Sequence, residues 1–168
     1  EIAQCLVGSE MCIRDRLNMN CDVIAQHCDT VYPQTLAQEK GVYSIGYNSD
    51  MSKEAPEACL CSVIWNWSAY YTSAVQSVID GTWDGSNYYG GMNENLVSIT
   101  PVADFAADTT QEKVNVAKQQ ILSGKNGVFD GVIETNTGAT VGTAGKTLDD
   151  SVITGGINWY FKTVSVIE

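Results

Sequence analysis

The sequence contains a single histidine and no unbroken apolar run near the roughly eighteen residues of a membrane-spanning helix. One histidine excludes a metal site built on two histidines, and the Gly-x-Ser-x-Gly, His-Glu-x-x-His and Gly-x-Gly-x-x-Gly strings are all missing. Basic residues are scarce, because 9 Lys and Arg stand against 20 Asp and Glu, for a net charge of −11. Nucleic-acid binding needs a basic face, so the charge argues against a nucleic-acid partner. These absences favour a protein that binds small molecules.

Cysteine is present, but not at the spacing of a familiar metal site. Four of the 6 cysteines lie beyond residue 16, namely Cys21, Cys28, Cys59 and Cys61. Structural zinc sites usually show a Cys-x-x-Cys pair, and none occurs here. A disulfide that includes Cys21 is one alternative, but a free buried thiol is the expected state for most of the four. We therefore expect neither a metal nor a cofactor.

The first sixteen residues differ from the rest of the chain. The string CLVGSEMCIRDR, which ends at Arg16, resembles a translated sequencing-adapter artefact. We therefore expect residues 1–16 to be an artefactual or disordered segment, with the genuine chain starting near Leu17. A real amphipathic arm is the alternative. The remaining length suits one core and not two full domains.

The first half of the chain alternates strands and helices. Short runs rich in β-branched residues predict strands at 21–26, 41–47 and 60–65, the first of them buried on both faces. Between the first two strands, 33–40 reads as a helix that stops at Gly41. A second helix over 68–80 has Ser68 as its expected N-cap. A strand–helix–strand unit implies a parallel pair joined by a right-handed crossover.

The second half is less regular. Strands are expected at 96–100 and 128–133, and helices at 110–123 and 148–153. The Gly- and Thr-rich stretch 135–145 predicts a loop or hairpin. The fold class is therefore α/β.

Polar and aromatic side chains follow the first three predicted strands. Ligands in an open parallel sheet lie beyond the carboxyl ends of the strands. Here those ends read Gln26-His27-Cys28-Asp29, Tyr47-Asn48-Ser49-Asp50 and Trp65-Asn66-Trp67. Neighbouring parallel strands would bring them to one rim of donors, acceptors and rings. Such a rim suits a ligand with a planar ring and hydroxyl groups.

Each of these residues also has a purely structural interpretation. His27 could be a hydrogen-bonded structural histidine. Asn48 and Asp50 could cap a turn, because Asn and Asp bond readily to nearby backbone. Trp65 and Trp67 share one face of a strand, so one of the two rings is expected to pack in the core.

A family resemblance follows from the order and spacing of short strings along the chain. The strings are DVIAQH at 22–27, GVYSIGYNSDM at 41–51, SVIWNW at 62–67, IDGTW at 79–83, YGGM at 89–92, ILSG at 121–124, GKTL at 145–148 and WYF at 159–161. Together they resemble the basic membrane protein (BMP) family, the purine-nucleoside-receptor-like substrate-binding lipoproteins of ABC importers.

The resemblance implies a fold of two α/β lobes of the type I periplasmic-binding-protein kind, with the ligand clamped between them. Residues 17–168 would be the C-terminal portion of such a domain, and most of the first lobe would be missing. Residues 17–66 would supply strands of the second lobe. The chain would cross to the first lobe near 62–68. The apolar face of the helix over 68–80 would then be exposed and favour self-association.

The resemblance also implies which residues face the ligand. His27 and Asn48 would contact it directly. In sugar-binding members an acidic residue often stands at the position of Asn48. The sugar contact would therefore fall to Asp50, or the ligand would be a free base. The segment from Trp65 to Trp67 would place an aromatic ring and Asn66 at the hinge and cleft, and Asp29 completes the candidate set.

The implied function is capture of a purine nucleoside or nucleobase by the binding component of an ABC importer, without chemistry. Its partners would be the small-molecule ligand and the permease subunits. The full-length protein would lie outside the cytoplasm and meet the membrane only through a lipid anchor absent from this chain. Two alternatives stay open. One is a nucleoside hydrolase that uses Asp29 or Asp50 as base, and the other is the ligand-sensing domain of a transcriptional regulator.

Overall fold

The computed structural model describes residues 13–15, 17–18, 20–125 and 127–164. It divides into two compact units, Glu1–Glu112 and Lys113–Glu168. The elements in chain order are β1 (Val23–Ala25), α1 (Tyr32–Lys40), β2 (Tyr43–Asn48), β3 (Cys59–Trp65), α2 (Ser68–Ile79), β4 (Val97–Ile99), α3 (Thr110–Leu122), β5 (Asp130–Glu134), β6 (Thr140–Thr147) and α4 (Asp150–Gly155). The predicted α/β class is confirmed.

The first unit contains a four-stranded sheet with the order β1-β2-β3-β4. β1 pairs with β2 in parallel, and β2 pairs with β3 in parallel. The crossover through α1 accounts for the first pair, as the strand–helix–strand pattern predicts. The carboxyl ends of three strands therefore lie at the same edge of the sheet.

β4 runs antiparallel to β3. The chain leaves the carboxyl end of β3, forms α2 and returns to the same end, where the Asn66 backbone N–H donates to the Leu96 carbonyl at 2.7 Å. A strand that starts beside the end of its neighbour must run in the opposite direction. Sequence periodicity carries no signal for this direction.

β1 has only one buried face. Ile24 is 4% exposed, whereas its neighbour Val23 is 43% exposed. The prediction that both faces of this strand are buried is wrong, because β1 is an edge strand and α1 covers the sheet from one side. On the uncovered side, the ring of Tyr43 stacks on that of Phe105 with 5.8 Å between centroids.

The core of the first unit lies between α1, β3 and the connection that precedes β3. Its buried members are Ala37, Met51, Ala55, Ala58 and Cys59, all of them small except Met51. α1 ends as predicted at Gly41, whose φ of 68° is the left-handed conformation that glycine adopts without strain. Small side chains bring the elements close together, so the core is sensitive to added volume.

Two fully buried serines in the sheet differ in their hydrogen bonding. Ser62 Oγ accepts from the Met51 backbone N–H at 3.1 Å. Ser44 Oγ is buried without a hydrogen-bond partner in the described part of the chain. An unpaired buried hydroxyl costs free energy that an alanine does not.

The two serines give a matched pair of alanine substitutions. Ser44→Ala is expected to leave the free energy of unfolding unchanged or to raise it by up to about 1 kcal/mol. Ser62→Ala is expected to lower that free energy by about 1–3 kcal/mol, because the Met51 N–H loses its acceptor. Urea titration of both variants measures the two values. Equal destabilisation by the two substitutions would contradict this assignment.

Helix α2 begins differently from the prediction. The N-cap is Trp67, which makes no capping hydrogen bond with its side chain. Ser68 is already helical, and its hydroxyl donates to Asn66 Oδ1 at 2.6 Å. The expected Ser68 cap is therefore wrong, because the hydroxyl is already engaged with the Asn66 side chain, two residues earlier.

The apolar face of α2 is exposed, as the resemblance implied. Tyr71, Val75, Val78 and Ile79 are between 58% and 71% exposed. Self-association through this face stays a prediction, which gel filtration over a range of protein concentrations would test. Among the described residues, no helix combines the length and apolar character needed to cross a membrane.

The second unit contains an antiparallel hairpin of β5 and β6, followed by α4. The stretch 135–145, predicted as a loop or hairpin, therefore forms part of a hairpin. Its second half belongs to β6. Thr135 forms an isolated bridge with Phe161. Thr135 and Ile133 are the buried side chains of this region.

Most of the segment expected to be artefactual or disordered lies outside the described residues, including 1–12 and 16. Residues 13–15 are helical, and Ile13 is buried. The interpretation of this segment stays a prediction.

Candidate functional site

The candidate site lies at the carboxyl edge of β1, β2 and β3. In the parallel register Ala25 is opposite Ile45, and Asn48 is opposite Ile64. β2 and β3 therefore end within one residue of each other, whereas β1 ends three residues earlier, so the residues that follow β1 run beside the end of β2. The residues that follow β1 and β3 flank the end of β2 on its two sides.

Aromatic rings collect on one face of this edge. The rings of His27 and Tyr47 lie 4.2 Å apart between centroids, at an angle of 39°. Tyr47 is opposite Val63, two residues before Trp65. Side chains two apart on a strand share a face, so His27, Tyr47 and Trp65 lie on the same side of three neighbouring strand ends.

The two tryptophans stack on each other. Their ring centroids are 5.4 Å apart, and Tyr71 continues the stack at 6.0 Å from Trp67. Trp65 is half-buried, and Trp67 is 45% exposed. The expectation that one ring packs in the core is wrong, because β3 ends at Trp65 and Trp67 already leads into α2. The stack instead offers aromatic surface beside the strand ends.

Asn48 and Asp29 form a polar pair at the same edge. Asn48 Nδ2 donates to Asp29 Oδ1 at 3.1 Å. Asn48 has a φ of 71°, in the left-handed region that asparagine tolerates better than most residues. This backbone turn ends β2, so Asn48 both ends the strand and holds Asp29. The second oxygen of the Asp29 carboxylate and the Asn48 carbonyl oxygen are acceptors suited to a ligand.

Asp50 is not brought into this group. One oxygen of its carboxylate accepts the Ser52 backbone N–H at 3.0 Å, which together with the Ser52 side chain lowers the pKa of Asp50. Asp50 lines a separate cleft of about 290 Å³ with 59–61 and 100–104. Its geometry is that of a turn cap.

Asn66 lies at the start of the connection from β3 to α2. Its backbone N–H donates to Leu96, and its side-chain oxygen accepts from Ser68. It is exposed beside the tryptophan stack. The structure therefore places Asn66 at the edge, with its side-chain oxygen already engaged by Ser68.

The cysteines form no site at this edge. All four described cysteines are free thiols, and Cys59 and Cys61 are buried. Burial raises the pKa of the Cys61 thiol, and the neighbouring Cys59 raises it further. Within the described ranges, no group of three or more His, Cys, Asp or Glu side chains is arranged to hold a metal ion.

Sequence reasoning missed two contributors. Tyr47 ends a predicted strand, but the sequence does not assign it to the site, because its contact with His27 depends on the register of β1 and β2. Gln34 was missed altogether. A glutamine within a helix gives no sequence signal of burial, yet Gln34 is 0% exposed.

The chemistry of the arrangement suits a small ligand. It presents flat rings, an amide and a carboxylate along one edge. Rings of a ligand can stack on the aromatic side chains, and its hydroxyls can donate to the carboxylate. This is the chemistry of reversible small-molecule binding.

Solved structures share this fold at low sequence identity. A transcriptional activator of the comK gene from Bacillus halodurans aligns with a TM-score of 0.63 and 17% identity, over 71% of this chain and 43% of the other. An ABC transporter solute-binding protein from Conexibacter woesei aligns with a TM-score of 0.50 and 16% identity, over 68% and 39%. The fold class is thus a lobe with a mainly parallel sheet, found in solute-binding and regulatory proteins alike.

Sequence relatives narrow the class. Residues 14–128 match the family described as Bmp, ABC transporter substrate-binding protein PnrA-like. A purine-binding protein of Brucella abortus is 32% identical over 88% of this chain and 42% of its own length. A candidate ABC transporter glucose-binding protein of Haloferax volcanii is 29% identical over 68% and 29%. The chain belongs to the Bmp family of substrate-binding proteins, and it spans less than half the length of these relatives.

Proposed function

We propose that this chain forms one lobe of an ABC-importer binding protein that captures a purine base or nucleoside at the edge formed by β1, β2 and β3. The observation that carries the proposal is the aromatic edge at which His27, Tyr47 and Trp65 share one face. A purine is flat and apolar enough to stack on such rings. The relative from Brucella abortus is named as purine-binding, which supports the same ligand class.

The polar pair supplies the second half of the proposed recognition. The hydroxyls of a ribose would donate to the Asp29 carboxylate, which Asn48 holds in place. We propose Asp29 for the sugar contact, where the family resemblance implied either Asp50 or a free base as ligand. Asp50 is the weaker candidate because one of its oxygens already accepts the Ser52 amide.

The proposal includes binding without chemistry and delivery to a membrane permease. Closure of a second lobe over the ligand would create the shape that the permease recognises. Contacts made only in the closed form would drive that closure as a population shift. The protein would act outside the cytoplasm and be held at the membrane by a lipid anchor.

Ligand titration tests the proposed ligand class. The chain is mixed separately with inosine, adenosine, adenine and glucose, and its thermal midpoint is recorded. A ligand at 100 times its Kd stabilises the folded state by about 2.7 kcal/mol, so a purine is expected to raise the midpoint clearly. Stabilisation by glucose alone, or by none of the four compounds, would contradict the proposal.

The hydrolase alternative has its own measurement. Incubation with inosine or adenosine followed by chromatography detects any free base. The proposal expects unchanged nucleoside. Release of base that disappears in an Asp29→Asn variant would instead establish the enzyme.

A further inference from the structure

We infer that Gln34 and Gln26 are positioning residues for the proposed ligand site, acting together as an amide brace beneath the loop that carries His27 and Asp29. The inference rests on the proposed function, and it adds two residues that contact no ligand. Neither lies among the rings and acceptors of the edge itself.

The brace starts from a buried glutamine. Gln34 lies on α1 and is 0% exposed. Its Nε2 donates to the Ile45 carbonyl of β2 at 3.1 Å, and its Oε1 accepts from Gln26 Nε2 at 3.2 Å. A buried amide with both ends paired fixes the separation of the groups it joins. Gln34 therefore ties the residue after β1 to the middle of β2.

Gln26 transmits this constraint to the loop. Its Oε1 accepts from the Cys28 backbone N–H, and its Nε2 donates to the Thr30 carbonyl at 3.3 Å. The Gln26 side chain thus holds the backbone at Cys28 and at Thr30, on either side of Asp29. His27 lies between Gln26 and Cys28. Met51 Sδ, 3.3 Å from Gln26 Nε2, packs the amide from the core side.

The consequence is a fixed loop at the site. His27 meets Tyr47 and Asp29 meets Asn48 only while the loop keeps this shape. Removing the brace would release both side chains, although each would keep its own chemistry. Binding would then need to order the loop first, which weakens the apparent affinity.

The single histidine provides a direct readout. The protein has one imidazole, so its proton NMR spectrum contains one set of histidine ring signals. The Tyr47 ring, 4.2 Å away, shifts those signals from their positions in a free imidazole. The ligand-free spectrum therefore reports whether the loop is in place.

The test compares Gln34→Leu and Gln26→Leu with Gln38→Leu as control. Gln38 lies on the same helix, but its side chain accepts from the Glu57 backbone N–H, away from this edge. In both brace variants the His27 signals are expected to move toward the free-imidazole position, and inosine affinity is expected to fall roughly tenfold. The control is expected to change neither quantity.

A variant that folds with unmoved His27 signals, or with moved signals and unchanged affinity, overturns the inference. If Gln34→Leu does not fold, the His27 signals and inosine affinity of Gln26→Leu, which changes only a half-buried side chain, test the inference. If the unmodified chain binds no purine, the proposed function fails. The ligand-free spectra then still decide whether the brace holds the loop.

Discussion

Trp67→Ala is expected to weaken purine binding by about 5- to 150-fold, because stacking of a base on an aromatic ring contributes about 1–3 kcal/mol. Trp67 is the more exposed ring of the tryptophan pair, and it stacks on the ring of Trp65. The substitution removes stacking surface and leaves Trp65 without its partner. Isothermal titration with inosine measures the loss.

Trp83→Ala is the matched control for this experiment. Trp83 is 46% exposed against 45% for Trp67, so the two substitutions remove equally accessible indoles. Trp83 lines an apolar cleft with 74–75 and 78–79 beside the end of α2, not at the strand ends. Unchanged affinity is expected for Trp83→Ala. Equal losses in both variants would show that the tryptophan stack has no special role.

Gly46→Val is expected to destabilise the fold by about 3 kcal/mol or more, and Gly46→Ala by about 1–3 kcal/mol. A Cβ at Gly46 would lie 3.0 Å from Ser62 Cβ and 3.2 Å from Met51 Cβ, and closer still to Ser62 Oγ. Replacing glycine within a strand would by itself stabilise by about 0.5–1 kcal/mol, so a net loss identifies the close approach. Urea unfolding of both variants gives the two values.

A second-site change provides the control for Gly46. Ser62→Gly removes the nearest obstructing atoms, so Gly46→Ala is expected to cost less in that background than in the natural sequence. The difference between the two costs is the coupling between the sites. Equal costs in the two backgrounds would contradict the close-approach explanation.

The architecture of the edge was predictable in part, because parallel pairing follows from the crossover. The strand–helix–strand pattern over 21–47 placed the carboxyl ends of the first two strands together, and with them His27 and Tyr47. No helix joins β2 to β3, so their parallel pairing had no such signal. The sequence could not decide the direction of β4, because strand periodicity is the same in both directions.

The polar contacts of the site were harder to predict. Asp29 and Asp50 are both aspartates that follow a strand, and nothing in the sequence makes one a better candidate for the ligand contact than the other. The left-handed backbone at Asn48 directs its amide to Asp29, while Asp50 turns to Ser52. Such choices depend on single dihedral angles, which hydrophobic patterns do not encode.

The most direct test of the account is the His27 NMR signal during titration with inosine. A purine at the strand ends must change the surroundings of the imidazole. We predict that the His27 signals shift progressively and saturate with the Kd measured by calorimetry. Calorimetric binding of inosine that leaves the His27 signals in place would contradict it, because the ligand would then lie elsewhere.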